Sequence, residues 1–213
     1  MLQFNRKLVI ALTVYLAALF ASNTLGIKLM PFAWDTHLST AIFVFPIVFL
    51  MTDVVGEVYG RAYAKLFVRM GFLATAFYLA ANLLSNVMPS SPDFAQAQAY
   101  NEIFSLSFRF ALASLAAFLV GELQDVRSFF FLRAKLGGRW FALRSFLSNL
   151  WGQLIDTVLW TSIAFIGVYP WRVLIGIALP WWLFKVGMGL LYTPLSYVGI
   201  RLLKPSEDTS TVA

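Results

Sequence analysis

Asn149, Gln153 and Asp156 fall at i, i+4 and i+7 in RSFLSNLWGQLIDTVLWTSIAF, residues 144–165. On a helix that spacing puts two amides and a carboxylate on one face, with Phe146, Leu150, Leu154 and Val158 on the other. The chemistry available to such a face is hydrogen bonding to a polar ligand. A carboxylate accepts two parallel donors, and an amide both donates and accepts. The stretch is otherwise apolar enough to cross a bilayer, where a central carboxylate costs roughly 2.5–3.5 kcal/mol. Amides alone are often only polar glue between membrane helices. Adding Asp156 favours a polar site enclosed by other helices.

Other residues extend the constellation. Asp53 and Glu57 are i and i+4 in residues 39–59. Asp53 lies deeper and is a candidate to line the same cavity; Glu57 either joins it there as a carboxylate pair that binds substrate or sits near the inner surface, paired with Arg61 at i+4. Lys185 falls near mid-depth in the last apolar stretch, with Gly189, Tyr192 and Ser196 continuing its face. An Asp156–Lys185 ion pair follows, either static or opened by substrate or a proton during a cycle. Asn23 and Asn82 are candidates at the outer ends of their spans. Gln124, beside Glu122 and Asp125 at an inner end, either joins the site or is solvated with them. Arg109 can snorkel from the outer end of its span. His37 is the only histidine and there is no cysteine, so neither a metal cluster nor thiol chemistry is expected. No Walker loop or GxGxxG occurs, and no cofactor is expected.

These residues need a membrane bundle to position them. Of 213 residues 60% are hydrophobic and only 12% charged, too apolar for a soluble domain. Six apolar segments are expected to span the bilayer: residues 8–25, 39–59, 66–87, 106–123, 144–165 and 173–203, the last with a kink at Pro180 or an interfacial first turn. The basic start of residues 1–26 precedes no cleavage site, so no removable leader is expected. Twelve of the sixteen Lys and Arg fall in alternate connections that would all be cytoplasmic. Only Lys28 and Arg172 fall in the outer loops, and Arg109 and Lys185 lie within spans. That bias places both termini inside and explains the net charge of +6 without nucleic acid. The fold class is an all-α integral membrane protein of the cytoplasmic (inner) membrane. Residues 1–204 form one six-helix domain, and residues 205–213 a disordered cytoplasmic tail.

Four stretches carry a family likeness: FPIVFLMTDVVGEVYG (residues 45–60), GELQDVRSFFFLR (121–133), RSFLSNLWGQLIDTVLW (144–160) and FKVGMGLLYTPLSY (184–197). In order and spacing the chain resembles the queuosine precursor transporter family, formerly the vitamin uptake transporter group, over nearly all its length from Ser22. The resemblance implies six spans and import of cyano- or aminomethyl-deazaguanine for tRNA queuosine synthesis. It assigns family positions to Asn23, Lys28, Thr52, Asp53, Glu57, Gln124, Asp125, Arg144, Ser148, Gln153, Asp156, Thr157, Lys185, Thr193 and Pro194. Gly56 stands where many members have Asn, and Tyr192 where many have Asp.

Three functions compete. The first is a self-sufficient transporter, not an enzyme, whose partners are the small base and the lipid bilayer; a homo-oligomer is left open. The second is the capture subunit of an ATP-driven vitamin importer, docked through Ala17 and Ala21. The third is an intramembrane aspartyl hydrolase, which would need Asp53 and Asp156 about 3 Å apart and sharing a proton.

Overall fold

The computed structural model describes residues 6–25, 28–31, 37–104, 108–138 and 140–204, and the tail beyond them lies outside the described residues. Its helices are α1 (Arg6–Leu25), α2 (Phe45–Tyr59), α3 (Arg61–Val87), α4 (Ala97–Phe104), α5 (Phe108–Leu136), α6 (Phe141–Phe165) and α7 (Trp171–Leu203). Between α1 and α2 the chain makes two three-residue strands, β1 (Leu29–Pro31) and β2 (His37–Ser39), paired antiparallel with Leu29 opposite Ser39. A 3-10 turn, Thr40–Phe43, leads into α2. Among the described residues the small ribbon is the one departure from helix and connecting turns.

Several helices outrun the expected spans. α3 begins at Arg61, and α5 continues through Gln124 and Asp125 to Leu136. Hydropathy marks where the bilayer ends, whereas the backbone keeps its hydrogen bonds until a residue stops it. At the α2–α3 junction that residue is Gly60, with φ 90°, and after α5 it is Gly137, with φ 68°, a region open to glycine at little cost. α7 runs unbroken past Pro180 and Pro194. Residues 97–104, between the expected third and fourth spans, form the short α4. Asn86 donates to the Phe104 carbonyl at 2.7 Å, and the Ser85 and Tyr100 hydroxyls meet at 2.9 Å.

α1, the stretch Thr40–Tyr59, α3 and α7 are each long and apolar enough to cross a membrane. α5 and α6, of 29 and 25 residues, also have the length. In α6 the residues that lower the hydropathy are polar ones turned inward. α6 buries Arg144, Ser145, Ser148, Asn149, Gln153, Asp156, Thr157 and Thr161, while Leu143, Trp151 and Val158 stay exposed. A helix with polar residues inside and apolar residues outside is built for lipid.

One end of the bundle gathers the start of α1 and the ends of α2 and α7. Lys7 Nζ donates to the Lys204 carbonyl at 2.5 Å, and the Tyr59 hydroxyl to the Leu203 carbonyl at 3.0 Å. Arg133 and Arg144 bring the end of α5 and the start of α6 to the same place, through Glu57 on α2.

α5 and α6 cross with almost no space between them. A Cβ on Gly121 would lie 2.9 Å from the Asp156 Cβ, and one on Gly152 would lie 2.8 Å from the Asp125 Cβ and 3.3 Å from the Gly121 carbonyl. Gly152→Val is therefore expected to force the pair apart and cost about 1–3 kcal/mol. Gly176→Ala on α7, with nothing within 4 Å, should cost nothing. Thermal unfolding of the purified proteins in detergent compares them; an unshifted Gly152→Val curve contradicts the close crossing.

Candidate functional site

α2, α6 and α7 enclose a cavity of about 50 Å³. Phe45, Pro46, Phe49 and Leu50 of α2 form one wall, Asn149 and Gln153 of α6 another, and Trp181, Lys185 and Gly189 of α7 the third. Of Asp53, Asn149, Gln153, Asp156 and Lys185, expected at one polar site, Asn149, Gln153 and Lys185 thus line it directly. The other two stand one bond behind. Asp53 Oδ2 accepts from Asn149 Nδ2 at 3.2 Å and from the Ser145 hydroxyl. Asp156 Oδ2 accepts from Lys185 Nζ at 2.7 Å, forming the expected ion pair. Each carboxylate therefore holds a side chain that lines the cavity.

The lining groups are only partly committed. Asn149 spends its donors on Asp53 and on the Ser145 carbonyl at 2.9 Å. Lys185 also reaches Thr157 Oγ1 at 3.5 Å and lies 5.6 Å from the centre of the Phe45 ring. Gln153 is 2% exposed, yet both ends of its amide lack a hydrogen-bond partner among the described residues.

Glu57 corrects the reading. Its partner is not Arg61 one turn on but Arg144 of α6, bound by two bonds of 3.0 and 3.1 Å, with Arg133 at 3.5 Å. Arg61 is exposed, whereas Arg144 is 0% exposed. A buried guanidinium needs a bidentate counter-ion far more than an exposed one does. Phe129 and Phe141 cover it, 5.1 and 6.0 Å from their ring centres.

Solvation of Glu122 and Asp125 is likewise overturned, because both are completely buried among the helices. Gln124 is half-buried and does not line the cavity. Asn23 spends its amide on the Leu19 carbonyl of its own helix at 2.9 Å and lies off the cavity. Asn82 accepts from Asn86 through its side chain and its carbonyl, at 2.9 and 3.0 Å. The side chains of Arg109 and His37 lie outside the described residues. Asp53 and Asp156 make no hydrolytic dyad. One bonds Ser145 and Asn149, the other Lys185, and no hydrogen bond joins them among the described residues.

The departures from the family pattern have local roles. Gly56 leaves room for Phe130, whose ring would lie 3.2 Å from an added Cβ, and its carbonyl accepts from Arg133 at 3.0 Å. The Tyr192 hydroxyl donates to the Phe43 carbonyl at 2.7 Å. Ser145 was missed, although it continues the polar face one turn before Asn149. Phe45 and Trp181 had no such signal, because an aromatic residue facing a cavity is spaced like one facing lipid.

A family model described as "Putative vitamin uptake transporter" matches residues 39–199. A Bacillus subtilis (strain 168) protein named "Probable queuosine precursor transporter" is 34% identical over 167 residues, covering 76% of this chain and 72% of its own length. A Haemophilus influenzae protein of the same name is 30% identical over 154 residues, covering 72% of this chain and 59% of its own. No solved structure matches the chain.

Removing the Glu57 carboxylate strands a buried cation. Glu57→Ala is expected to cost about 3–5 kcal/mol, seen as poor membrane yield and early unfolding. Arg61→Ala should leave both unchanged. Equal behaviour of the two variants would return Glu57 to a surface role.

Proposed function

The chain belongs to the queuosine precursor transporter family, and on that premise we propose that it imports cyano- or aminomethyl-deazaguanine across the inner membrane for tRNA queuosine synthesis. The observation that carries the reading is the buried Gln153 amide. A buried amide with no partner is costly, and a polar ligand in the cavity beside it answers both its donor and its acceptor. Asn149 offers a second amide, while Phe45, Phe49 and Trp181 supply flat apolar walls for a ring.

The role of Asp156 follows from its place behind Lys185. A guanine-like edge presents a ring N–H and an amine side by side, and one carboxylate accepts both. The base therefore competes with Lys185 for Asp156, and binding opens that ion pair. Ligand pockets measure roughly 300–1,000 Å³, so this cavity of about 50 Å³ must widen between α2 and α7 to admit a bicyclic base. The frame for that movement is six spans, with α5 and α6 as the two most polar. The end carrying Lys7, Arg133, Arg144 and Lys204 faces the cytoplasm. The relatives' names speak for transport and lend no support to an ATP-driven capture subunit.

A precursor-auxotrophic strain fed each base is expected to make queuosine in its tRNA only when it carries this gene. Purified Asp156→Asn should lose base affinity at least about tenfold, or 1.4 kcal/mol, because the new amide sets a donor against the ligand's donor. Gln153→Ala should lose less. Undiminished binding by folded Asp156→Asn would remove Asp156 from the site. Reporter fusions at Gln96 are expected to read as external, and a cytoplasmic reading rejects the six-span topology.

A further inference from the structure

Glu122 and Asp125 lie on α5 and take no part in the cavity, yet they are buried to 0% exposure. All four of their carboxyl oxygens lack a hydrogen-bond partner among the described residues. Thr52 and Ser148 stand beside them. Their hydroxyl hydrogens are directed to the Phe49 and Ser145 carbonyls at 2.7 and 3.1 Å. No Lys or Arg among the described residues forms an ion pair with either group; the pairs present join Glu57 to Arg133 and Arg144, and Asp156 to Lys185.

The groups facing this layer come from every side. α1 contributes Tyr15, 0% exposed, whose hydroxyl also lacks a partner. A Cβ on Gly71 would lie 2.5 Å from that hydroxyl and 3.0 Å from Phe118, one turn before Glu122. α2 contributes Asp53, with one carboxyl oxygen unpartnered, and α6 contributes Asp156 and Arg144. α7 reaches the layer through Lys185 on Asp156. α3 buries Gly71 and Thr75, leaves Lys65 half-buried and keeps Arg61 and Arg69 exposed. Arg144 and Lys185 are already paired, with Glu57 and Asp156.

We propose that Glu122 and Asp125 form an exchangeable proton site, linked to the cavity through Asp53, and that inward proton movement drives uptake. Carboxyl groups buried without counter-ions are stable when each holds a proton. The link runs through Asn149, which lines the cavity and donates to Asp53. When a base engages that amide, Asp53 loses a donor, and holding a proton in the layer becomes more favourable. By reciprocity, a proton in the layer favours the base.

The drive rests on the import reading, whereas the proton site does not, and the two are tested separately. Infrared spectra of the purified protein at neutral pH, without ligand, are expected to show protonated-carboxyl bands that Glu122→Gln and Asp125→Asn each diminish. Absence of those bands from the unmodified protein overturns the site, whatever the base does. In proteoliposomes, a gradient of one pH unit, acid outside, should concentrate labelled cyano-deazaguanine about tenfold for one proton per base. Glu122→Gln should lose this accumulation while still exchanging labelled for unlabelled base at equal pH. Accumulation driven by a sodium gradient alone, or a Glu122→Gln protein that still concentrates base, overturns proton drive. If the unmodified protein exchanges no base at all, the import reading and the proton drive fall, and the infrared result alone decides the site.

Discussion

The buried acids of α5 and α6 meet at the contact between Gly121 and Gly152. With no side chain on either, the α5 and α6 backbones approach until each glycine lies against the other's neighbours, Asp156 and Asp125. Lipid gives helices no hydrophobic reason to associate, so close backbone packing must supply part of the attraction. The same approach seals Asp125, Asp156 and Glu122 from lipid and holds α6 so that Asn149 and Gln153 face α2 and α7. A larger residue at either crossing point would displace the packing and the site together.

Because the bilayer core offers no water, the charges inside must be answered by the protein or removed. They are arranged in layers. Near the end that gathers the start of α1 and the ends of α2 and α7, Glu57 answers Arg144 and Arg133. Further in, Ser145 and Asn149 answer one oxygen of Asp53, and Lys185 answers Asp156. Glu122 and Asp125 are the pair left unanswered by cations among the described residues.

The sequence made some of this legible because a charge in an apolar run has few outlets. Asp156 and Lys185 lie at similar depth in neighbouring spans and pair as expected. The polar face of α6 was visible from its spacing, and that face is the one buried. Depth along a helix was harder to read. Glu122 and Asp125 follow an apolar run and precede basic residues, a pattern that suggests a solvated helix end. Yet α5 continues as a helix to Leu136, which carries that pair well inside. Glu57 misled for a different reason. The i+4 rule names Arg61, but local spacing carries no account of a cation arriving from another helix already stripped of water. Asn23 satisfied its burial within its own helix, an outlet that residue type alone does not disclose.

Two of the cavity's few polar lining groups are held from behind by acids. Asn149 is oriented by Asp53, and Lys185 by Asp156. A group that binds Asn149 or Lys185 must compete with those carboxylates, so occupancy of the cavity changes the cost of charge one bond deeper. A wall of apolar residues alone would transmit shape but no charge. A wall of carboxylates facing the cavity directly would bind cations as readily as a neutral ring. Setting the acids one bond back leaves Asn149 and Lys185, rather than the carboxylates that hold them, among the cavity's lining residues.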